Sequence, residues 1–499
     1  MSTSHFHRLY IDISKNFYDV AKSEYYELIK GDVPLFNART TEKELYSINS
    51  KFGNNIVVEG ALEKSRSIIE QMGVTDYKFQ ERVINYSYSD LYRNSIFKTN
   101  FCFGEDKTIN ITEEEILLKI EKLAELIIDN SIVTGDGKNR ERSWLGYIEV
   151  EKSFRQISPV GINLYDGNTG IALFFAALYY VTNKEIYRSY CIEILNPVQK
   201  YLNRFNLDFE IQNGFYNGYF GVIYSLRLVS QLINDNSYLD LSNKLLSKIT
   251  CETVSSRYFD ITTGNAGALL TLLRLNQNDQ YEPLIKTLIN SVLKEICWSE
   301  DGAYFGLEGY TGFSHGTSGV SHLIYAYSKR GNKELKKIVS ELIKFERNLF
   351  DSDRLNYKKS LTDQNCDYKW CHGLPGILVN RLILYNQDYR DENIEREIEI
   401  CISGIKKNGF GSNYCLCHGD LGNLMILKKA ASILNDDNLE QTVKSNSLII
   451  ANILFNKIFN DDVFVKYSGF GLMTGLAGIG YSLVYLLFND KEVANILAL

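Results

Sequence analysis

Seven stretches of this chain are apolar almost throughout: 171–180, 222–232, 268–275, 320–327, 377–385, 423–434 and 479–488. Between them lie stretches such as 333–349 and 391–406, where apolar residues alternate with charged ones at helical spacing. The first kind predicts helices buried on several sides, and the second predicts helices with one wet face. A Gly-x-x-Gly pair opens each apolar stretch: Gly167/Gly170, Gly218/Gly221, Gly264/Gly267, Gly316/Gly319, Gly373/Gly376, Gly419/Gly422 and Gly475/Gly478. The first glycines are 51, 46, 52, 57, 46 and 56 residues apart. A unit recurring at that period predicts a stacked or closed array of helix pairs. Seven units predict an all-α chain, an α/α toroid of seven helical hairpins with an apolar inner ring inside an amphipathic outer ring. The glycines let backbones approach where the inner helices converge. The helix N-termini, with their positive dipole ends, then collect at one mouth.

Upstream of the repeats the pattern changes. Thr112 and Glu115 form a capping-box sequence, and Ile116, Leu117, Ile120, Leu123, Leu126 and Ile127 follow with a 3.6 period. A helix is predicted there, then a loop over 135–142. Residues 1–105 contain no Gly-x-x-Gly and are rich in tyrosine and charge. They predict helices near 17–28, 61–72 and 77–88 and an extended segment over 31–36. The expected division is an N-terminal, mostly helical extension over 1–105 and the toroid over 112–499. The uncharged stretch 467–489 has the length of a membrane span. It holds five glycines and the seventh pair, so it is read as a loop leading into a buried inner helix.

Composition narrows the function. A 45% hydrophobic and 23% charged chain is an ordinary globular one. The net charge of -7 argues against a nucleic-acid or acidic-membrane partner. The first residues lack a basic stretch followed by an apolar core, so a cytoplasmic location is expected. Nine cysteines in that setting suit reduced thiols or metal ligands rather than disulfides. Cys102, Cys191, Cys251, Cys297 and Cys401 read as small buried hydrophobes.

Chemistry gathers at the glycine pairs. Cys371 and Cys417 each stand two residues before the first glycine of a pair, and His315, His372 and His418 stand one before. Cys371, Cys417 and His418 make a donor set for Zn²⁺, and three protein ligands leave a fourth position open, as in catalytic zinc sites. Cys415 could replace Cys417 but is out of frame. His315 is the candidate general acid/base. Asp166, before Gly167, shares that frame position and is a second candidate. Asp260 lies four residues before Gly264 and reads as a cap or a pairing group, and His322 as packing. A zinc held by two thiolates favours a third thiol over water. No general-base glutamate adjoins a ligand, which weighs against hydrolysis. Two alternatives stay open: a non-catalytic scaffold binding peptide or thiol, and a toroid carbohydrate enzyme, which would need two carboxylates at the mouth.

The segments Trp370-Cys-His-Gly-Leu-Pro-Gly-Ile377, Leu416-Cys-His-Gly-Asp-Leu-Gly-Asn423 and Gly471-Leu-Met-Thr-Gly-Leu-Ala-Gly-Ile-Gly480 resemble the signatures of lanthionine synthetase C-like cyclases, and Leu164-Tyr-Asp-Gly167 and Gly312-Phe-Ser-His-Gly316 fit as well. The resemblance spans about 112 to the end. It implies an α/α toroid with zinc on Cys371, Cys417 and His418 and acid/base roles for Asp166 and His315. The implied reaction adds peptide cysteines to dehydroalanine or dehydrobutyrine and forms thioether rings. The wording is most similar to the C-terminal part of class II bifunctional lanthipeptide synthetases. Residues 28–36 resemble a stretch near the end of their dehydratase domain. The implied partners are a dehydrated precursor peptide and a dehydratase supplied by another chain or a region outside this one. The chain departs from some free-standing cyclases at Asp367, where they carry arginine; Lys369 is nearby.

Overall fold

The computed structural model describes residues 20, 22–42, 44–47, 59–96, 98–104, 111–151, 154–204, 212–254, 256–276, 279–488 and 492–498. The expected helix near 17–28 therefore starts outside the described residues. The chain divides into two compact units, Met1–Ile84 and Asn85–Leu499. The first contains a helix over 22–29 (α1), a two-stranded antiparallel hairpin of β1 (Phe36–Ala38) and β2 (Leu45–Ser47), and α2 (Ala61–Gln71). α3 (Val74–Ile96) begins in the first unit and ends in the second.

The second unit is the predicted ring. Its inner helices are α5 (Asn168–Thr182), α7 (Tyr219–Leu232), α9 (Asn265–Leu275), α11 (Thr317–Ser328), α13 (Leu374–Asn386), α15 (Asp420–Leu434) and α18 (Leu476–Phe488). Each packs on the next, and α18 packs back on α5, so the ring is closed. Six inner helices form hairpins with the helix that follows: α6 (Glu185–Arg204), α8 (Asn236–Ser247), α10 (Glu282–Lys294), α12 (Lys333–Asn348), α14 (Ile394–Asn408) and α16 (Asp437–Asn460). The seventh outer position is filled by α4 (Glu113–Asp129), which packs on α18. The two ends of the repeat region thus share one hairpin. α4 carries the predicted capping box, with Thr112 accepting from Glu115 N–H and Glu115 accepting from Thr112 N–H.

Burial follows the sequence pattern. Every residue of α18 from Leu476 to Leu487 is buried. The outer helix α12 buries Leu335, Val339, Leu342, Ile343, Phe345 and Glu346 along one face. The short α17 (Asp462–Tyr467) and a loop precede α18, and among the described residues no helix is long and apolar enough to cross a membrane. The loop expected over 135–142 is in part a hairpin, β3 (Ile132–Thr134) with β4 (Glu141–Ser143). It is followed by β5 (Leu145–Glu151) and β6 (Phe154–Pro159), while β7 (Ile296–Ser299) pairs with β8 (Gly302–Phe305) and β9 (Phe350–Asp351) with β10 (Asn356–Tyr357). Apart from β5 and β6, these strands are two to four residues long and carry too few alternating positions to stand out from loop sequence.

One polar knot sits inside the packing. Arg381 of α13 is fully buried, donating from Nη1 to Glu346 of α12 at 2.9 Å and from Nε to Glu397 of α14 at 3.0 Å. Ser318 of α11 donates to Glu346, and Arg347 donates to Glu397. The cluster ties the fourth and fifth hairpins together behind the loop that carries Cys371. Arg381→Ala leaves two buried carboxylates short of a partner and is expected to destabilise the second unit by about 3–5 kcal/mol. Urea unfolding followed by circular dichroism measures that loss.

Candidate functional site at the ring mouth

The Gly-x-x-Gly loops build the mouth. Inner helices α5, α7, α9, α11 and α15 start on extended glycine caps, and α13 starts on Gly373 at φ 114. In all seven pairs, a Cβ on the second glycine would strike the backbone carbonyl six residues upstream. Each loop therefore folds back over its own helix start, and only hydrogen fits there.

Neighbouring loops are laced by backbone hydrogen bonds. Leu164 and Tyr165 N–H donate to Tyr216, Phe215 to Ile261, Ile261 to Ser314, and Phe313 to Trp370; across the ring closure, Leu416 and Cys417 donate to Met473, and Leu472 and Met473 to Tyr165. Among the described residues one junction has no such bond, that between the loop of Trp370 and the loop of Leu416. These are the loops that carry Cys371 and Cys417. The two thiols stand on either side of the seam, close enough to shift each other's ionisation.

That contact polarises the pair. Accepting from Cys417 pulls the Cys371 thiol below its ordinary range against the cost of burial, helped by the charges of His315 and Lys369. Donation to Cys371, with burial, holds Cys417 well above it. Cys371 is thus the first to ionise. Lys369 pairs with Asp367 at 3.2 Å, so the cation beside Cys371 is this lysine rather than an arginine at position 367. Cys415 accepts the His418 backbone N–H at 3.4 Å, and burial pushes its thiol up to about 12.

His315 stands on the adjoining loop. Gly312, at φ 93, lets that loop rest on the backbone of Cys371–Gly373, where a Cβ would collide. The His315 Nδ1 meets Asp260 Oδ2 at 2.8 Å, and the ring stacks on His372 with centroids 5.4 Å apart. Burial disfavours charge on His315, but the hydrogen bond and the carboxylate of Asp260 outweigh it and raise its pKa. The Asp260 carboxyl, though buried, is held below its ordinary range by the same bond and by donation from Thr263. Asp260 therefore both holds the turn that leads into α9, through Thr263 and Gly264 N–H, and orients the imidazole. With Nδ1 engaged, Nε2 is the nitrogen left to a substrate. His322 is packing, buried and stacked on Phe313.

Asp166 meets Thr474, whose hydroxyl donates to it at 2.9 Å. Its neighbour Tyr165, which the sequence reading did not single out, is buried beside Cys417, and each group shifts the other's ionisation. The signal was present, since Tyr165 stands two residues before Gly167 as Cys371 and Cys417 do before their glycines. Equivalent positions pair elsewhere around the mouth, as Thr262 and Ser314 do at 2.5 Å.

His418 is half-buried, with its carbonyl accepting from Asn413 at 3.3 Å. Among the described residues, no three His, Cys, Asp or Glu side chains are arranged to hold a metal ion. The paired, polarised thiols at the seam are nonetheless the donor type that soft divalent ions take.

Comparison with known proteins agrees with this architecture. Residues 158–497 match the family described as lanthionine synthetase C-like protein. The chain is 25% identical over 492 residues to the lacticin 481/lactococcin biosynthesis protein LcnDR2 of Lactococcus lactis subsp. lactis, covering 93% of this chain and 50% of that one. It thus spans about half the length of this curated relative. Among solved structures, nisin cyclase superposes with a TM-score of 0.51 at 20% identity, covering 66% of this chain and 91% of that one.

Proposed function

We propose that this chain, which belongs to the lanthionine synthetase C-like family, is a zinc-dependent lanthipeptide cyclase. It would add cysteine thiolates of a precursor peptide to dehydroalanine or dehydrobutyrine and so form lanthionine and methyllanthionine rings. The observation that carries this reading is the Cys371–Cys417 pair at the open seam, with the His315–Asp260 dyad on the adjoining loop. Cys371, Cys417 and His418 would hold the zinc. When bound, the ion would supply the positive charge that makes a cysteine thiol acidic enough to be a nucleophile at neutral pH.

This chain's own residues then have separate tasks. His315 would deliver a proton from Nε2 to the α-carbon of the enolate left by thiolate addition. Asp260 keeps the imidazole oriented and favours its charged form. Tyr165, buried beside Cys417, would help position that thiol. Asp166, anchored by Thr474, is assigned the second acid/base task. The dehydroamino acids require a dehydratase acting first, and residues 1–105 are assigned to the end of such a domain on the likeness of 28–36.

The reaction is isomeric, so the purified chain given a dehydrated precursor should consume free thiols without any mass change. Zinc retention with thiols unconsumed would support a binding scaffold instead. Asp260→Asn is expected to lower the ring-closing rate about 10- to 100-fold with zinc content unchanged. The pH–rate profile should shift as well, which a merely structural loss would not produce.

A further inference from the structure

The loop that carries Cys417 and His418 is held unequally on its two sides. Toward α18 its backbone is laced to Met473. Toward the loop of Trp370 such bonds are missing among the described residues, and side chains bridge instead, as Asn423 does to the Tyr368 carbonyl at 3.2 Å. A further support comes from the other end of the chain. Residues 98–104, which precede the ring and belong to the same compact unit, lie along this loop as a strap.

Thr99 is the clasp. It is buried, its hydroxyl donates to Asp420 Oδ2 at 2.5 Å, and its N–H donates to the Ser412 carbonyl at 3.3 Å. Asp420, the first residue of α15, is also buried, and its carboxylate accepts Gly411 N–H at 3.1 Å and Ser412 N–H at 3.3 Å. The Asp420 N–H returns to the Asn413 carbonyl at 2.7 Å. Asn413 in turn accepts Cys415 N–H on Oδ1 at 2.9 Å and donates from Nδ2 to the His418 carbonyl at 3.3 Å. A run of hydrogen bonds thus leads from Thr99 to both sides of Cys417. Beside the clasp the contact is apolar. Buried Phe101 meets the Phe410 ring edge-on with centroids 5.5 Å apart, and Phe103 stacks on the same ring at 5.1 Å. Gly104 N–H then ties the strap to Asn446 of α16 at 2.9 Å.

We propose that 98–104 is a positioning strap, in which Thr99, Phe101 and Phe103 hold the loop of Cys417 and His418 in place across the seam. A buried carboxylate short of a donor is costly, so losing the Thr99 hydroxyl favours opening of the loop around Asp420. The strap itself stands on geometry alone, and its consequence for zinc rests on the cyclase reading.

The test uses the full chain and two readouts: amide hydrogen exchange over 410–418 by mass spectrometry, and the rate at which the zinc-loaded chain loses its metal to a chelator. Thr99→Val keeps the shape and removes the hydroxyl. It should speed exchange over 410–418 by about tenfold or more, and zinc loss by a similar factor, while the amides of α5 and α9 keep the parent rate. Thr99→Ser, which keeps the donor, should match the parent in both readouts. Phe103→Ala, at a half-buried ring, should act in the same direction as Thr99→Val and decides if that variant fails to fold. Unchanged exchange over 410–418, or acceleration spread evenly around the ring, overturns the strap. Faster exchange confined to 410–418 in a chain that binds no zinc upholds the strap and sinks the cyclase reading instead.

Discussion

Replacing Cys371 with serine is expected to prevent zinc binding and to slow ring closure sharply, with the helical content unchanged. Cys371 is the more acidic of the two seam thiols, because Cys417 donates to it and the charges of His315 and Lys369 stand near. A serine hydroxyl in that position is a far poorer donor for a soft ion. An ion of this kind contributes several kcal/mol of transition-state charge stabilisation, so its loss should slow the reaction on the order of a thousandfold. Cys417→Ser should do the same. Inductively coupled plasma mass spectrometry of the purified variants, beside the thiol-consumption assay, reads both effects. A Cys371→Ser protein that keeps full metal and activity would remove the thiol pair from the account.

The second large effect belongs to His315. His315→Ala should keep the metal and the fold and lower the rate about 10²- to 10⁴-fold, the range a positioned acid/base group supplies. The ring of His315 stacks on His372 rather than closing the core, and its side chain is 40% exposed, so little packing is lost. The discriminating readout is exchange in heavy water. The parent should incorporate one deuterium at the α-carbon with the stereochemistry set by the site, and the variant should lose that stereochemical control along with rate. Metal loss in His315→Ala would show instead that the histidine supports the seam.

Much of this architecture was legible because it repeats. The Gly-x-x-Gly frame marks each inner helix start, and the all-apolar runs after it are the helices that the ring buries. The same frame aligns Cys371 with Cys417, which the fold brings into contact. It also aligns Tyr165 with them, a likeness hidden by the difference between a phenol and a thiol. Other features had no periodic trace. Asp260 lies outside the frame and reaches His315 because its carboxylate folds back over Thr263 and Gly264 at the start of α9. Among the described residues, the junction between the loops of Trp370 and Leu416 is set apart by backbone hydrogen bonds that are not made, and no residue type encodes that. The partnership of α4 with α18 joins segments far apart in sequence, and the spacing of the glycines does not specify it.

X-ray absorption at the zinc edge on the full chain purified without chelator addresses the central claim most directly. The account predicts about one zinc per chain with two sulfur neighbours at ~2.3 Å and lighter neighbours, nitrogen or oxygen, at ~2.0–2.1 Å, the distances such ligands take. Substituting both Cys371 and Cys417 should remove the sulfur shell altogether. A zinc shell of nitrogen and oxygen alone, or a sulfur shell that survives both substitutions, would contradict it.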